Sequence, residues 1–298
     1  MKRHVLLLAG LVLLWCGAVS PAAAQEINHQ AEADSVFHQM VRFSPDGTLL
    51  AWSQRATRAG AEDAWTIWLA PVDGSRRLRV AEGDPFFAFH PDGSRIVYSR
   101  KAGNHSELFH IRIDGQDQQA ITSDGMENSH PYVAPDGRTI YYVTEGAGSA
   151  DIARIDISGT DRRVLTSGPD DDLLPSLSPD GRLLAFYRSR DDGKDQIHLM
   201  EPDGTNERML TVGSNHNFFP VWTPDDHVSW ISDTDKGERL IRTSPTTLFR
   251  PLDQPADGAH WQIFSPDGRQ LATIRGRWPV TWIEVSDAGG QTPRRVIN

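Results

Sequence analysis

Ser44-Pro45-Asp46-Gly47 is the first of six copies of one tetrapeptide, and its recurrence decides the fold. The others are His90-Pro91-Asp92-Gly93, Ala134-Pro135-Asp136-Gly137, Ser178-Pro179-Asp180-Gly181, Thr223-Pro224-Asp225-Asp226 and Ser265-Pro266-Asp267-Gly268. Spacings of 46, 44, 44, 45 and 42 residues define a repeat with several short strands per period, the signature of propeller blades. Proline presets φ at the first corner of a tight turn, aspartate suits the second, and glycine takes the left-handed conformation that restores hairpin twist. Turn geometry accounts for every residue type in the string, so Asp46, Asp92, Asp136, Asp180, Asp225 and Asp267 are read as turn formers rather than metal ligands. Copy five carries Asp226 in place of glycine and reaches its next strand one residue early, so its turn should differ.

Strands fill the space between the turns. An apolar strand precedes each tetrapeptide and ends in Phe43, Phe89, Val133, Leu177, Trp222 or Phe264. A second follows it, as in Leu49-Leu50-Ala51-Trp52 and Ile140-Tyr141-Tyr142. A third alternates in hydropathy, as in Ile152 to Ile157, and a short polar fourth closes the unit, as in Arg162 to Leu165. Period-two alternation punctuated by Gly, Pro and Asp marks strands and hairpins. The expectation is an all-β chain: one six-bladed β-propeller of four-stranded antiparallel blades over residues 36–298. No repeat is split between the chain ends, so the ring is expected to close by packing of blade 6 on blade 1, without a shared blade.

Residues 1–24 read as a signal peptide. Lys2 and Arg3 form a basic start, an apolar run follows, and Ala22-Ala23-Ala24 offers a cleavage site after Ala24. Residues 25–35 are expected to be a flexible lead-in. Cys16 is the only cysteine, so the mature chain would hold neither disulfide nor thiolate. The formal charge of −10 disfavours nucleic acid and anionic membranes as partners, and no later apolar run approaches spanning length. A soluble periplasmic monomer is expected.

Asn128-Ser129-His130-Pro131-Tyr132-Val133-Ala134-Pro135-Asp136-Gly137 resembles the β-propeller repeats of TolB and its periplasmic relatives, and the pattern recurs at 172–181 and 217–225. The likeness covers nearly the whole mature chain and is specific for the fold. It implies a propeller without the N-terminal α/β domain of that family, because only about a dozen residues separate the signal from the first blade. It also implies a protein- or peptide-binding module of the cell envelope. Two alternatives stay open: a metal-assisted polysaccharide lyase or hydrolase, and a small-molecule or sugar-binding propeller.

Candidate site residues come from one end of the repeats, where loops enter the inner strands. Six residues before each tetrapeptide lie His38, Asp84, Asn128, Asp172, Asn217 and Ala259. Side chains of Asp and Asn there either cap backbone groups locally or form a polar ring facing the channel. His38, His130, His216 and His260 fall near the same end and could converge on a transition metal, although their differing offsets turn them to different faces, and the acidic loop Asp170-Asp171-Asp172 at the channel mouth could attract a cation such as calcium. No cofactor is otherwise expected. The sequence lacks a Gly-x-Ser-x-Gly elbow, a phosphate-binding loop and a His-Glu-x-x-His helix, so enzymatic activity is not the leading expectation. The partner surface is expected to comprise His38, Asp84, Asn128, His130, Asp172, His216, Asn217, His260 and Trp261, with Phe86, Phe218 and Phe219 beside them.

Overall fold

Each tetrapeptide closes the hairpin between the first and second strands of a four-stranded antiparallel sheet. The structure, a computed structural model, describes residues 25–26, 35–58, 61–62, 64–146, 148–190, 194–235, 237–245, 252–255, 259–277 and 280–297. Residues 1–24, read above as a signal peptide, and residues 27–34 lie outside the described residues. Among the described residues there is no helix long and apolar enough to cross a membrane.

Six sheets follow one another in chain order. From the inner strand outward, blade 1 comprises Ser35–Phe43, Leu49–Arg58, Thr66–Pro71 and Leu78–Glu82. Blade 2 comprises Phe87–Phe89, Arg95–Ala102, His105–Arg112 and Gln119–Ala120. Blade 3 has Glu127–Val133, Thr139–Glu145, Ala150–Asp156 and Arg163–Val164, and blade 4 has Asp171–Leu177, Leu184–Ser189, Gln196–Met200 and Arg208–Met209. Blade 5 has His216–Trp222, Val228–Thr234, Gly237–Thr243 and Leu252–Pro255, and blade 6 has Ala259–Phe264, Gln270–Arg277, Val280–Asp287 and Arg294–Ile297. In blade 1, Gln25–Glu26 adds a short pairing to the outer strand, and Ala61–Glu62 pairs with the second. The expected six-bladed all-β ring is the fold observed.

The turn aspartates act as the string implied. Asp46 Oδ1 accepts from Thr48 N at 3.1 Å, and Asp180 and Asp267 accept from the equivalent backbone amides at 3.0 Å. The glycines at 47, 93, 137, 181 and 268 have φ between +68° and +73°, where a Cβ would be strained. Asp226 takes the same left-handed position at φ +59°. The fifth hairpin is one residue shorter, its ladder running from Thr223 N to His227 O where blade 1 runs from Ser44 N to Leu49 O. Neighbouring turns lie close together: a Cβ at Gly93 would meet Pro45, one at Gly268 would meet Pro224, and one at Gly47 would meet Pro266 across the closure.

The core lies between blades. Trp52, Tyr98, Tyr142 and Phe186 occupy the second strands of blades 1 to 4 and are wholly buried, with Trp230 nearly so in blade 5. Such rings bury 150–250 Å² each, roughly, and dominate the cohesion of sheet on sheet. Inner-strand hydrogen bonds cross the same seams: Arg42 Nε donates to Phe87 O at 3.1 Å, Tyr132 Oη to Leu177 O at 3.1 Å, and Trp222 Nε1 to Ser176 O at 2.8 Å.

Candidate functional site

Asn128, Asp172 and Asn217 hold one register position on successive inner strands, and all three are buried. Their side chains turn into the seam with the preceding blade rather than onto an open surface. At the seam between blades 2 and 3, Asn128 Nδ2 donates to Glu107 Oε2 at 3.0 Å, and Thr122 Oγ1 donates to the same carboxylate oxygen. Between blades 4 and 5, Asn217 Nδ2 donates to Gln196 Oε1 at 3.2 Å and Thr211 Oγ1 donates to it at 2.7 Å. Between blades 3 and 4, Thr166 stands beside Asp151 and bonds Asp172, which also accepts, within its own blade, from Arg188 Nε at 2.7 Å and Nη2 at 2.9 Å. In each case the threonine oxygen also accepts the backbone N–H of the third strand, from Leu108, Ile152 and Ile197, at 2.9 Å.

The arrangement is a repeated lock: a polar residue on the third strand of one blade, a threonine after its outer strand, and Asn or Asp on the next inner strand. Buried polar groups require such partners, because an unmade hydrogen bond in the interior costs about 1–3 kcal/mol. Sequence reasoning missed Glu107, Thr122, Asp151, Thr166, Gln196 and Thr211. Their signal was available, since Thr122, Thr166 and Thr211 stand at one spacing before their tetrapeptides, as do the other three at a longer one. Burial raises the carboxyls of Asp172 and Asp151, opposed at Asp172 by its bonds to Arg188 and reinforced at Asp151 by the charge of Asp172.

The remaining members of the column differ. His38 closes the ring: its backbone N–H donates to Thr281 Oγ1 at 2.6 Å, and Nδ1 lies 3.0 Å from the same hydroxyl and 3.1 Å from Thr281 O. Among the described residues blade 6 thus meets blade 1 by side-to-side packing and this clasp, and no strand of one blade pairs into the sheet of the other. Burial depresses the His38 imidazole to about 3. Asp84 is half-buried beside Ser99 and Ser106; burial raises its carboxyl, and the two hydroxyls oppose the rise. Ala259 carries no hydrogen-bonding side chain.

A second column, two residues further along the inner strands, has a different character. Met40, Phe86, His130, Leu174, Phe219 and Trp261 occupy it. In blades 3, 4 and 5 the strand bulges here, and His130, Leu174 and Phe219 adopt φ of +52°, +53° and +59°. Such values are uncommon outside glycine and cost on the order of 1 kcal/mol or more each. The rings meet across blades: Phe86 and His130 have centroids 3.9 Å apart, and Phe219 packs on Phe218 at 5.0 Å and on Trp261 at 5.4 Å. Phe86, His130, Phe218 and Phe219 are partly buried, each with an edge left accessible. The setting of His130 among these rings lowers its imidazole to about 3 through desolvation.

Among the described side chains, His38, His130 and His216 do not converge. His38 is spent on Thr281, His130 stacks on Phe86, and His216 is 45% exposed with Asp195 at 3.7 Å. His260 lies on the inner strand of blade 6, and its side chain is outside the described residues. Among the described residues no group of three or more His, Cys, Asp or Glu could hold a metal ion.

A family model described as the TolB β-propeller domain matches residues 23–226. No curated protein sequence matches the chain. Among solved structures, TolB from Acinetobacter baumannii is similar at 18% identity and a TM-score of 0.68, covering 88% of this chain. This chain spans 63% of the length of that protein. An oligogalacturonate lyase from Vibrio parahaemolyticus is similar at 14% identity and a TM-score of 0.61, over 89% of this chain and 78% of its own. Prolyl oligopeptidase B from Galerina marginata is similar at 12% identity and a TM-score of 0.58, over 88% of this chain and 42% of its own. At these identities the likeness is one of fold.

Proposed function

The chain belongs to the TolB β-propeller family, and from that premise we propose that it is a protein- or peptide-binding propeller of the periplasm, working as a monomer. The observation that carries this reading is the second column. Three successive blades hold non-glycine residues in a left-handed conformation at matching positions, and local strain of this kind clusters at working sites. It sets partly accessible aromatic rings beside polar groups on the rigid innermost strands, the combination by which concave surfaces recognise partners. His130, Phe86 and Phe219 form the contact surface, with Asp84 and His216 as polar neighbours and the buried Trp261 packed behind Phe219. His38, Asn128, Asp172 and Asn217 support it from within the seams. The fold alone hosts binding proteins and enzymes alike, so the reading rests on the column and not on the ring.

The test is a capture experiment with residues 25–298 and its Phe86→Ala/His130→Ala variant on envelope extract. Loss of captured protein by a variant with an unchanged unfolding midpoint supports the reading. Undiminished capture by the folded variant overturns it.

A further inference from the structure

The six inner strands surround the axis of the ring, and the residues two before each tetrapeptide stand at one level along it: Arg42, Ala88, Tyr132, Ser176, Val221 and Ile263. Ala88, Ser176 and Val221 are buried, whereas Arg42, Tyr132 and Ile263 keep part of their surface accessible. Side chains at this level lean toward the next blade: Arg42 reaches Phe87 O of blade 2, and Tyr132 Oη reaches Leu177 O of blade 4. Ala88, between them on blade 2, presents only a methyl group, and Arg42 and Tyr132 come within electrostatic reach of each other past it. Residues of blades 1 and 3 can approach one another only on the axial side of blade 2. Their accessible surface therefore opens on the central channel.

Arg42 is the only charged residue of the six, and its charge is unmet. Its Nε–H donates to Phe87 O at 3.1 Å. Among the described residues Nη1 and Nη2 have no protein partner, and neither atom is sealed from solvent. No carboxylate of the described residues pairs with it, whereas Arg188 is matched by Asp172 and Glu207, Arg154 by Asp161 and Arg275 by Glu284. Burial draws the Arg42 guanidinium down to about 10, which leaves it charged at neutral pH. A partly buried cation without a counter-ion is costly, and a ligand that supplies one gains charge-assisted hydrogen bonds. Geometry selects the class of ligand. With Nε spent on Phe87 O, the edge that remains is Nη1 and Nη2, two parallel N–H donors matched to the two oxygens of one carboxylate. A phosphate dianion would leave one negative charge over, and no second cation stands at this level.

We propose that Arg42 is an anion site in the central channel and takes a single carboxylate, end-on to Nη1 and Nη2. The site stands two residues further along the inner strands than the column of Phe86 and His130, toward the tetrapeptide turns, and shares no residue with that surface. The carboxylate belongs either to a peptide held at the surface above, in which case the inference rests on the peptide-binding reading, or to a free small acid, in which case it does not.

The experiment titrates acetate, acetamide and inorganic phosphate, each at constant ionic strength and mildly alkaline pH, into residues 25–298 carrying ¹⁵N in the arginine side chains, and follows the Nε–H resonances. The Arg42 resonance, identified by its absence from Arg42→Met, is expected to shift saturably with acetate, with acetamide and phosphate each at least tenfold weaker. Arg42→Met should abolish acetate binding, and Arg42→Lys, which keeps the charge but not the paired donors, should weaken it about tenfold. Should Arg42→Met fail to fold, Arg42→Lys identifies the resonance and carries the comparison. N-acetyl-trialanine with a free terminus and N-acetyl-Ala-Glu-Ala-amide then separate the sources: tighter binding than acetate by either assigns the carboxylate to a peptide's terminus or side chain, and binding no tighter than acetate assigns it to a free acid. Acetate needs no partner protein, so a failure here and a failure of the capture experiment are read apart. No saturable shift with acetate, an equal response to acetamide or phosphate, or unchanged acetate affinity in a folded Arg42→Met overturns the proposal.

Discussion

Blade 5 is held on its two sides in different ways. Toward blade 4, Asn217 reaches Gln196 and Thr211 and also accepts the Trp230 indole, so every group in the lock satisfies another. Toward blade 6 the same register presents Arg239 and Ala259, and the Trp261 indole is left without an acceptor. One strand pattern therefore supports two kinds of seam. Aromatic packing is common to both, since Phe219 meets Tyr187 of blade 4 at 6.2 Å and Trp261 of blade 6 at 5.4 Å. What separates them is buried polarity. A propeller needs apolar burial to close, but where it carries locks it also fixes the angle between blades, because hydrogen bonds are directional and van der Waals contact is not.

The difference is sharpest where charge is involved. Asp172 is buried and doubly bonded to Arg188, which also reaches Glu207 at 2.8 Å. Removing one member of a buried pair leaves the other uncompensated, so Asp172→Ala is expected to cost about 3 kcal/mol or more in folding free energy. Urea unfolding measures it. A cost below about 1 kcal/mol would mean that the Asp172–Arg188 pair inside blade 4 behaves as an exposed one.

The closure seam should respond to acid. The folded imidazole of His38 lies at about 3, below its ordinary 6.5. The neutral form is therefore favoured by folding, and its contribution is complete above pH 6.5 and lost as pH falls toward 3. By pH 5 the loss from His38 is about 2 kcal/mol. His130 acts in the same direction, whereas the raised carboxyls of Asp84, Asp151 and Asp172 act in the opposite one. Comparing His38→Gln with the unaltered protein at pH 7.5 and pH 5 isolates the clasp. A variant that loses as much stability between the two pH values as the parent would show that the clasp does not titrate.

Asn217→Ala probes the uncharged lock. It strips Gln196 Oε1 of one donor and Trp230 Nε1 of its acceptor, so about 1.5 kcal/mol is expected, smaller than for Asp172 because no charge is stranded. The unfolding midpoint with and without the substitution gives the value, and no change would remove the lock as an explanation of the polar column.

How much of this the sequence disclosed differs between the turns and the seams. Ser-Pro-Asp-Gly is local chemistry: each residue satisfies a need within its own turn, so the turns, the blade count and even the shortened fifth hairpin were legible. The polar column was legible as a column, but its partners lie on the previous blade. Glu107 and Asn128 are 21 residues apart, as are Gln196 and Asn217, and nothing local at Asn128 points backward to Glu107. The left-handed bulge was hidden for another reason. Its positions hold His130, Leu174 and Phe219, where local preference points to ordinary strand and the packed ring imposes the backbone.

The smallest expected effect is a gain. If the lock is the cause of the difference, transplanting it should strengthen the weak seam. Arg239→Gln with Ala259→Asn places the Gln196–Asn217 pair at the same register between blades 5 and 6. One added buried hydrogen bond is worth about 1 kcal/mol at most, and the interactions that Arg239 makes offset part of it, so a net gain of about 0.5 kcal/mol is expected. Equilibrium unfolding of the double variant and both single variants separates coupling from the individual changes. A favourable coupling between the two substitutions would show that the register positions face each other as they do in blades 4 and 5. Strict additivity would show that the seam is splayed too far for the pair to meet, and that the loose joint between blades 5 and 6 is set by its backbones rather than by two missing side chains.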